Sequence, residues 1–220
     1  MRNFCYLVLS TLFLFAGAPA SAQIHLSMMG GANLASTELS SDEVAVPTSE
    51  TVTRISVGVA ATFPVAGHFG IQLGGGYSQR GSNSRFTDGD ATGESLIEAD
   101  YAELTALGRL AIPLYGDRIG IHLLAGPAFA YETSCDATLS TTVEDRAVSN
   151  SAACGDAFDR PSFDFGLVGG GGLEIGLTRD LGLDFGALYN YGLTDLDNAD
   201  AATVQHRVLT LRAGLSYSIR

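Results

Sequence analysis

The chain has 220 residues with 12 basic and 24 acidic side chains, a formal net charge of −12, and every basic residue is an arginine. That length makes one domain the starting assumption, and the acid excess excludes the basic footprint that a nucleic-acid binder needs. The acids fall largely in polar stretches between apolar ones and read as solvated loop surface; the balance also suits a high-salt habitat or a cation-rich cell surface.

Arg2, an apolar run from Cys5 to Phe15 and the small residues Ala20, Ser21 and Ala22 have the order of a secretory signal peptide: positive start, apolar core, cleavage site. Residues 1–22 are therefore expected to be removed on export, leaving 23–220 as the mature domain. The apolar run is nearer to a signal core than to the roughly 20 residues a spanning helix requires. Cys5 lies well before the cleavage point, so no lipid anchor is implied.

After residue 22 no run of 18 apolar residues occurs, which excludes spanning helices; the remaining pattern has period two. Ile24, Leu26, Met28, Ala32 and Leu34 oppose His25, Ser27 and Asn33. Ile55, Val57, Val59, Ala61 and Phe63 oppose Arg54, Ser56, Gly58 and Thr62. Phe69, Ile71, Leu73 and Tyr77 oppose Gln72, Gly74, Gly76 and Ser78. Leu104, Ala106, Leu110 and Ile112 oppose Glu103, Thr105 and Arg109. Ile119, Ile121, Leu123, Ala125, Phe129 and Tyr131 oppose His122, Gly126 and Ala128. Phe163, Phe165, Leu167, Leu173, Ile175 and Leu177 oppose Asp164, Gly166, Gly170 and Glu174. Leu181, Leu183, Phe185, Ala187, Tyr189 and Tyr191 oppose Asp184, Gly186 and Asn190. Leu209, Leu211, Ala213, Leu215, Tyr217 and Ile219 oppose Thr210, Arg212, Gly214 and Ser216. The pattern predicts eight strands.

Connections alternate in length. Short turns are expected at Pro64 to His68, Pro113 to Arg118 and Thr178 to Asp180, and polar loops at Ser36 to Thr53, Gly81 to Ala99, Glu132 to Pro161 and Thr194 to Gln205. This is the rhythm of an all-β, eight-stranded antiparallel up-and-down transmembrane barrel with both termini on the short-turn, periplasmic rim of the outer membrane. Size and charge choose the outward face. The polar set is rich in Gly, Ala, Ser and Thr, which fit a narrow interior, and an inverted sheet would turn Arg54, Arg109 and Arg212 toward lipid at roughly 2 to 4 kcal/mol each near the midplane. Those arginines, with Glu103, Asp164, Glu174 and Asp184, are predicted to form a lumen charge network, since an isolated buried charge is expensive. A salt-bridged plug is the first reading and a small gated pore the second. Tyr77, Tyr131, Tyr189, Tyr191 and Tyr217 lie toward strand ends on the apolar set, as an interfacial aromatic girdle would.

Removal of the leader leaves Cys135 and Cys154, an even pair in an exported chain, for which a disulfide is expected. It would close a loop of about 20 residues, rated at roughly 3 kcal/mol by chain entropy.

The run Gly30-Gly31-Ala32-Asn33-Leu34, the segment Gly75 to Gly81, Tyr101-Ala102-Glu103-Leu104 leading to Ile112-Pro113-Leu114, Leu124-Ala125-Gly126-Pro127 and Tyr191-Gly192-Leu193-Thr194-Asp195 together resemble the outer-membrane β-barrel domain proteins of Bacteroidetes and relatives, the PorT-like group. The likeness runs over the whole mature chain and implies an outer-membrane barrel. Such chains often end on an aromatic residue, whereas this one ends Tyr217-Ser218-Ile219-Arg220.

Other motifs reduce to plain readings. Gly169 to Gly172 is not a phosphate loop, because strand alternation continues through Glu174 and Ile175; relief of crowding in a curved strand accounts for it. Asp88 to Gly93 and Asp195 to Asp200 are partial calcium loops, the first with Ala99 where a bidentate Glu is needed and the second with Ala199 in the fifth place. Ser78 lacks the nucleophile-elbow context. His25 and Ser27 resemble the His and Ser of lipid A deacylase barrels but have no evident acidic partner. No cofactor, metal site or catalytic constellation is expected. The sequence reads as a non-enzymatic, monomeric barrel with two partners: outer-membrane lipid and, through acidic loops, another envelope or extracellular protein. Adhesion or envelope integrity would be its role; a narrow channel or secretion accessory is the alternative, and an envelope lipid-modifying enzyme ranks below both.

Overall fold

The computed structural model describes residues 23–40, 49–88, 91–115, 118–143, 146–154, 161–194 and 203–219. The expected signal segment 1–22 lies outside them. Among the described residues ten strands form: β1 (Ile24–Ser40), β2 (Ser49–Glu50), β3 (Val52–Ala66), β4 (Phe69–Asp88), β5 (Ala91–Tyr115), β6 (Ile119–Val143), β7 (Arg146–Ala153), β8 (Phe163–Gly176), β9 (Leu181–Gly192) and β10 (Thr203–Ile219). Eight of them close a ring in the order β1-β3-β4-β5-β6-β8-β9-β10, with β10 returning to β1 from Ile24 beside Ile219 to Ser40 beside Thr203. β2 and β7 stand outside the ring, paired to β4 and β6. Every pairing is antiparallel.

Closure is staggered. Register partners run from Ser27 through Ala60, Gly74, Thr105, Ala128 and Gly166 to Gly192, which lies against His206, and His206 pairs with Thr37. One circuit therefore returns to β1 well above its start, the offset that makes strands tilt about a barrel axis.

The three short connections lie on the rim that holds the start of β1 and the end of β10. At one of them Gly67 takes a φ of 53°, a left-handed turn conformation open to glycine without cost. At another, the Thr178 hydroxyl accepts the backbone N–H groups of Asp180 (3.3 Å) and Leu181 (3.0 Å), fixing the turn into β9.

The opposite ends depart from expectation. Much of the stretches read as polar loops is strand: β4 and β5 pair without a break to Asp88 beside Ala91, β6 continues to Val143, and β7 folds back on it within the Glu132 to Pro161 stretch. Alternation of bulky and small residues marks a strand only where one face meets an apolar phase. Past that zone apolar residues no longer recur at every second position: Ile97 and Ala137 pack inward beside the disulfide while Leu139 stands exposed, and the backbone ladder runs on without a period-two hydropathy signature.

Around the ring the apolar set points out. Met28, Val59, Leu73, Leu104, Leu123, Leu167, Phe185 and Leu211, one from each ring strand, are all exposed, Leu104 to 66%. A barrel in water would bury such a band; one in lipid displays it.

Candidate functional site

The lumen holds nearly all of the buried chemistry, arranged in three layers. On four consecutive ring strands one apolar residue separates polar or charged ones along the inner face: Leu107 between Glu103 and Arg109 on β5, Leu124 beyond His122 on β6, Val168 between Asp164 and Glu174 on β8, and Leu188 between Asp184 and Asn190 on β9. Leu107, Leu124, Ala128, Val168 and Leu188 pack together as a buried cluster. The small and polar set expected inside is thus joined by Leu107, Leu124, Val168 and Leu188, which the alternation does not assign to either wall. The sequence reading gave the interior to small and polar residues, but an eight-stranded barrel has space for a few aliphatic side chains, and burial among themselves removes them from water.

The loop-side layer centres on Arg80, which is 1% exposed. Its guanidinium donates to an Asp164 carboxylate oxygen on β8 and, at 2.7 Å, to Glu103 Oε2 on β5. It also lies 4.8 Å from the Tyr101 ring centre. The Tyr101 hydroxyl is 3.2 Å from Glu132 Oε2 and 3.3 Å from His206 Nε2. Beside them Asn33 donates to Ser78 Oγ (3.0 Å) and the Gln79 carbonyl (2.8 Å) while accepting from Thr210 Oγ1 (2.7 Å). A guanidinium sunk this deep requires its two carboxylates, because an unpaired charge in a low-dielectric interior is costly.

Arg54 belongs elsewhere. It pairs with Glu98 at the outer edge of this layer, with side chains 23% and 51% exposed, so it meets none of the four acids grouped with it from the sequence. Arg80 takes the central place. It continues the inner series Gln72, Gly74, Gly76 and Ser78, and reading a loop from Gly81 onward hid it.

In the short-turn layer Arg109 donates to Glu174 Oε2 at 2.6 Å, and Glu174 Oε1 accepts from Ser216 at 3.2 Å. His122 Nδ1 faces Asp184 Oδ2 across 3.9 Å. Arg212 lies over Gly186, one inner position from Asp184; a Cβ at Gly186 would stand 3.2 Å from its Nε. Between the loop-side network and the apolar layer, on the β1, β3 and β4 side, is a cavity of about 100 Å³ lined by Asn33, Ser56, Gln72, Arg80, Glu103 and Thr105 among others. It has room for a few waters and is smaller than sites for drug-sized ligands.

Cys135 and Cys154 are bonded, S–S 1.99 Å, at the base of the β6–β7 hairpin. Thr133 is an unpaired extra residue between Glu132 and Ser134, and this bulge shifts the alternation of β6 so that Cys135 turns inward against Ala99, Tyr101 and Ala130. The tyrosines grouped from the sequence stand on the outer wall: Tyr131, Tyr189, Tyr191 and Tyr217 are exposed, and Tyr77 is half-buried with its hydroxyl accepting from Gln79 Nε2 at 2.9 Å. Tyr131 packs on Phe163 with ring centres 4.9 Å apart, and the Arg207 guanidinium sits 3.6 Å over Tyr191. Of the two residues weighed for lipid chemistry, His25 Nδ1 contacts Ser218 Oγ at 2.9 Å, its cross-strand neighbour, and not Ser27. The partial calcium loops include Gly89, Asp90 and Asp195 to Asp200, outside the described residues.

No curated protein matches the sequence. Among solved structures, the outer membrane protein OprG from Pseudomonas aeruginosa is similar at 12% identity and a TM-score of 0.50, over 90% of this chain and 96% of that one. Escherichia coli Outer Membrane Protein W has 11% identity and a TM-score of 0.47 over 90% and 98%. Ail, the attachment invasion locus protein of Yersinia pestis, has 14% identity and a TM-score of 0.37 over 89% and 98%. At such identities the likeness is one of fold. The family model described as "Outer membrane protein beta-barrel domain" matches residues 17–198, most of the sequence, and the chain belongs to that family of outer-membrane β-barrels.

Proposed function

We propose that this barrel is a closed, non-enzymatic scaffold whose working surface is the pair of hairpins β4–β5 and β6–β7, held out for another envelope or extracellular protein. The observation that carries the reading is strand length set against lumen content. β5 and β6 are 25 residues each, whereas about 9 to 11 residues cross a bilayer, so more than half of each strand is left to project. The lumen beneath is crossed by an apolar layer between two ion-paired ones, an arrangement suited to sealing and not to conduction. Glu94, Glu98, Asp100, Glu132 and Asp136 give the hairpins an acidic character, and the disulfide ties the second one at its base.

Several parts of the reading go together. Residues 1–22 are a cleaved leader, the short-turn rim with both chain ends faces the periplasm, and the barrel works as a monomer with its tyrosines at the lipid boundary. The narrower likeness to the PorT-like group rests on the Gly30 to Leu34 and Gly75 to Gly81 motifs.

Reconstitution of the purified protein in planar bilayers tests the central point: the expected record is silent, and steady ion current would replace this reading with the channel. Orientation is checked separately. A cysteine at Arg85, whose side chain is 63% exposed on β4, is expected to react with a membrane-impermeant maleimide on intact cells, and labelling only after the outer membrane is opened would reverse the assignment.

A further inference from the structure

We propose that His122, Asp184 and Glu174 form a binding site for a divalent transition-metal ion of the zinc type at the short-turn end of the lumen. One donor atom from each of these residues, on β6, β9 and β8, lies within 4.8 Å of the others. Two of the three are buried without a hydrogen bond: His122 is 2% exposed and its Nδ1 has no partner among the described residues, and Asp184 is 6% exposed with Oδ1 equally unpartnered. Burial of such groups is costly unless something pairs with them.

The spacing says what fits. Nδ1 of His122 and Oδ2 of Asp184 are 3.9 Å apart, beyond hydrogen-bond range. Two bonds to a shared zinc ion, each about 2.0 to 2.2 Å, span at most about 4.2 Å when collinear and less at a tetrahedral angle, so a small inward shift completes this pair, and the cluster as a whole, whose donor atoms spread over up to 4.8 Å, closes further when the ion binds. Glu174 comes to the cluster already oriented, with Oε2 held by Arg109 at 2.6 Å, the outer support a ligating carboxylate usually has. Its side chain is 31% exposed, which gives solvent a path in and leaves a fourth position for water.

The ring of His122 is seated by the glycine run. A Cβ at Gly172, its cross-strand partner, would stand 2.8 Å from both Cε1 and Nε2, so only glycine there lets the imidazole lie flat with Nδ1 toward Asp184. An imidazole with two carboxylates suits zinc or a similar ion, whereas calcium takes 6 to 8 oxygens and magnesium near-octahedral oxygen. Arg109 and Arg212 already offset the two carboxylates, so the ion adds positive charge and the affinity is held down. Removal of the Arg212 charge should therefore strengthen binding.

The test is titration of the folded full-length barrel in detergent with Co²⁺, read by the visible absorption of a low-symmetry site, followed by displacement with Zn²⁺. The expected result is one saturable site, weakened about tenfold or more in His122→Ala and in the near-isosteric Asp184→Asn, tightened in Arg212→Gln and unchanged in His68→Ala. Variants are compared only where gel mobility still shifts on heating, the sign of a closed barrel; Asp184→Asn carries the test if His122→Ala does not fold. Absence of saturable binding, equal affinity in Asp184→Asn, weaker binding in Arg212→Gln, or loss in His68→Ala would each overturn the proposal.

Discussion

Arg80 on β4 and Asp164 on β8 meet across the lumen from walls separated by β5 and β6. The contact links two sides of the ring that share no backbone hydrogen bond. Because Glu103 takes a second donor of the same guanidinium, loss of the arginine strands two carboxylates at once. Arg80→Met is expected to lower stability by about 3 to 5 kcal/mol, the usual consequence of breaking a buried ion pair from one side. Replacing all three in Arg80→Met, Asp164→Leu and Glu103→Gln should recover much of that, since no uncompensated charge remains. Urea unfolding in lipid vesicles measures both, and an Arg80→Met barrel as stable as the parent would show that the network contributes nothing.

The apolar layer makes a different prediction. Leu107→Ala with Leu188→Ala removes two side chains that are 1% and 8% exposed. Each truncation of a buried leucine costs roughly 2 to 5 kcal/mol, with less where the cavity is open to relaxation. The double variant should also admit water to the middle of the barrel and raise ion leakage in planar bilayers above the silent parent. Leu104→Ala, on the same strand but 66% exposed on the outer wall, is the control and should do neither. Equal leakage from Leu104→Ala and the double variant would show that these leucines do not seal the lumen.

These two cases mark how far the sequence could be read. Period-two alternation identifies the outer wall because lipid demands bulky apolar residues there at every second position, and Leu104 or Leu211 could not be placed otherwise. The inner wall obeys no such single demand. Leu107 and Leu188 are inside for packing, Arg80 for pairing, and Cys135 because one extra residue at Thr133 shifts the phase of β6. A charge network is legible as a need for partners, but partner choice depends on the stagger of closure, which brings Arg54 to Glu98 and not to the acids that share its inner face in the sequence pattern.

Reduction should act locally. Cys135 and Cys154 are 19 residues apart, and the ring closes through β1 and β10 without crossing the bond. Chain entropy assigns such a staple about 3 kcal/mol, here felt by the β6–β7 hairpin. Treatment with a reductant is expected to open cleavage by an added protease between residues 136 and 153 while heat-dependent gel mobility stays as before. A reduced barrel that no longer shows the mobility shift would place the disulfide in the closure itself.

The four-glycine run of β8 separates positions that look alike in sequence. A Cβ at Gly169 meets nothing within 4 Å, whereas one at Gly170 would run into the Ala187 carbonyl oxygen and one at Gly172 into that of Phe185. Gly169→Ala should therefore be neutral or stabilise by up to about 1 kcal/mol, through the smaller entropy of the unfolded chain. Gly170→Ala and Gly172→Ala must instead push β8 away from β9, and at position 172 the His122 ring is displaced as well. Both should lose stability by about 1 to 3 kcal/mol, the range for overpacking a tight site, with Gly172→Ala the worse of the two. Unfolding midpoints for the three variants decide it: a uniform effect across the run would mean that the glycines serve the flexibility of the strand and not the close approach of its neighbours.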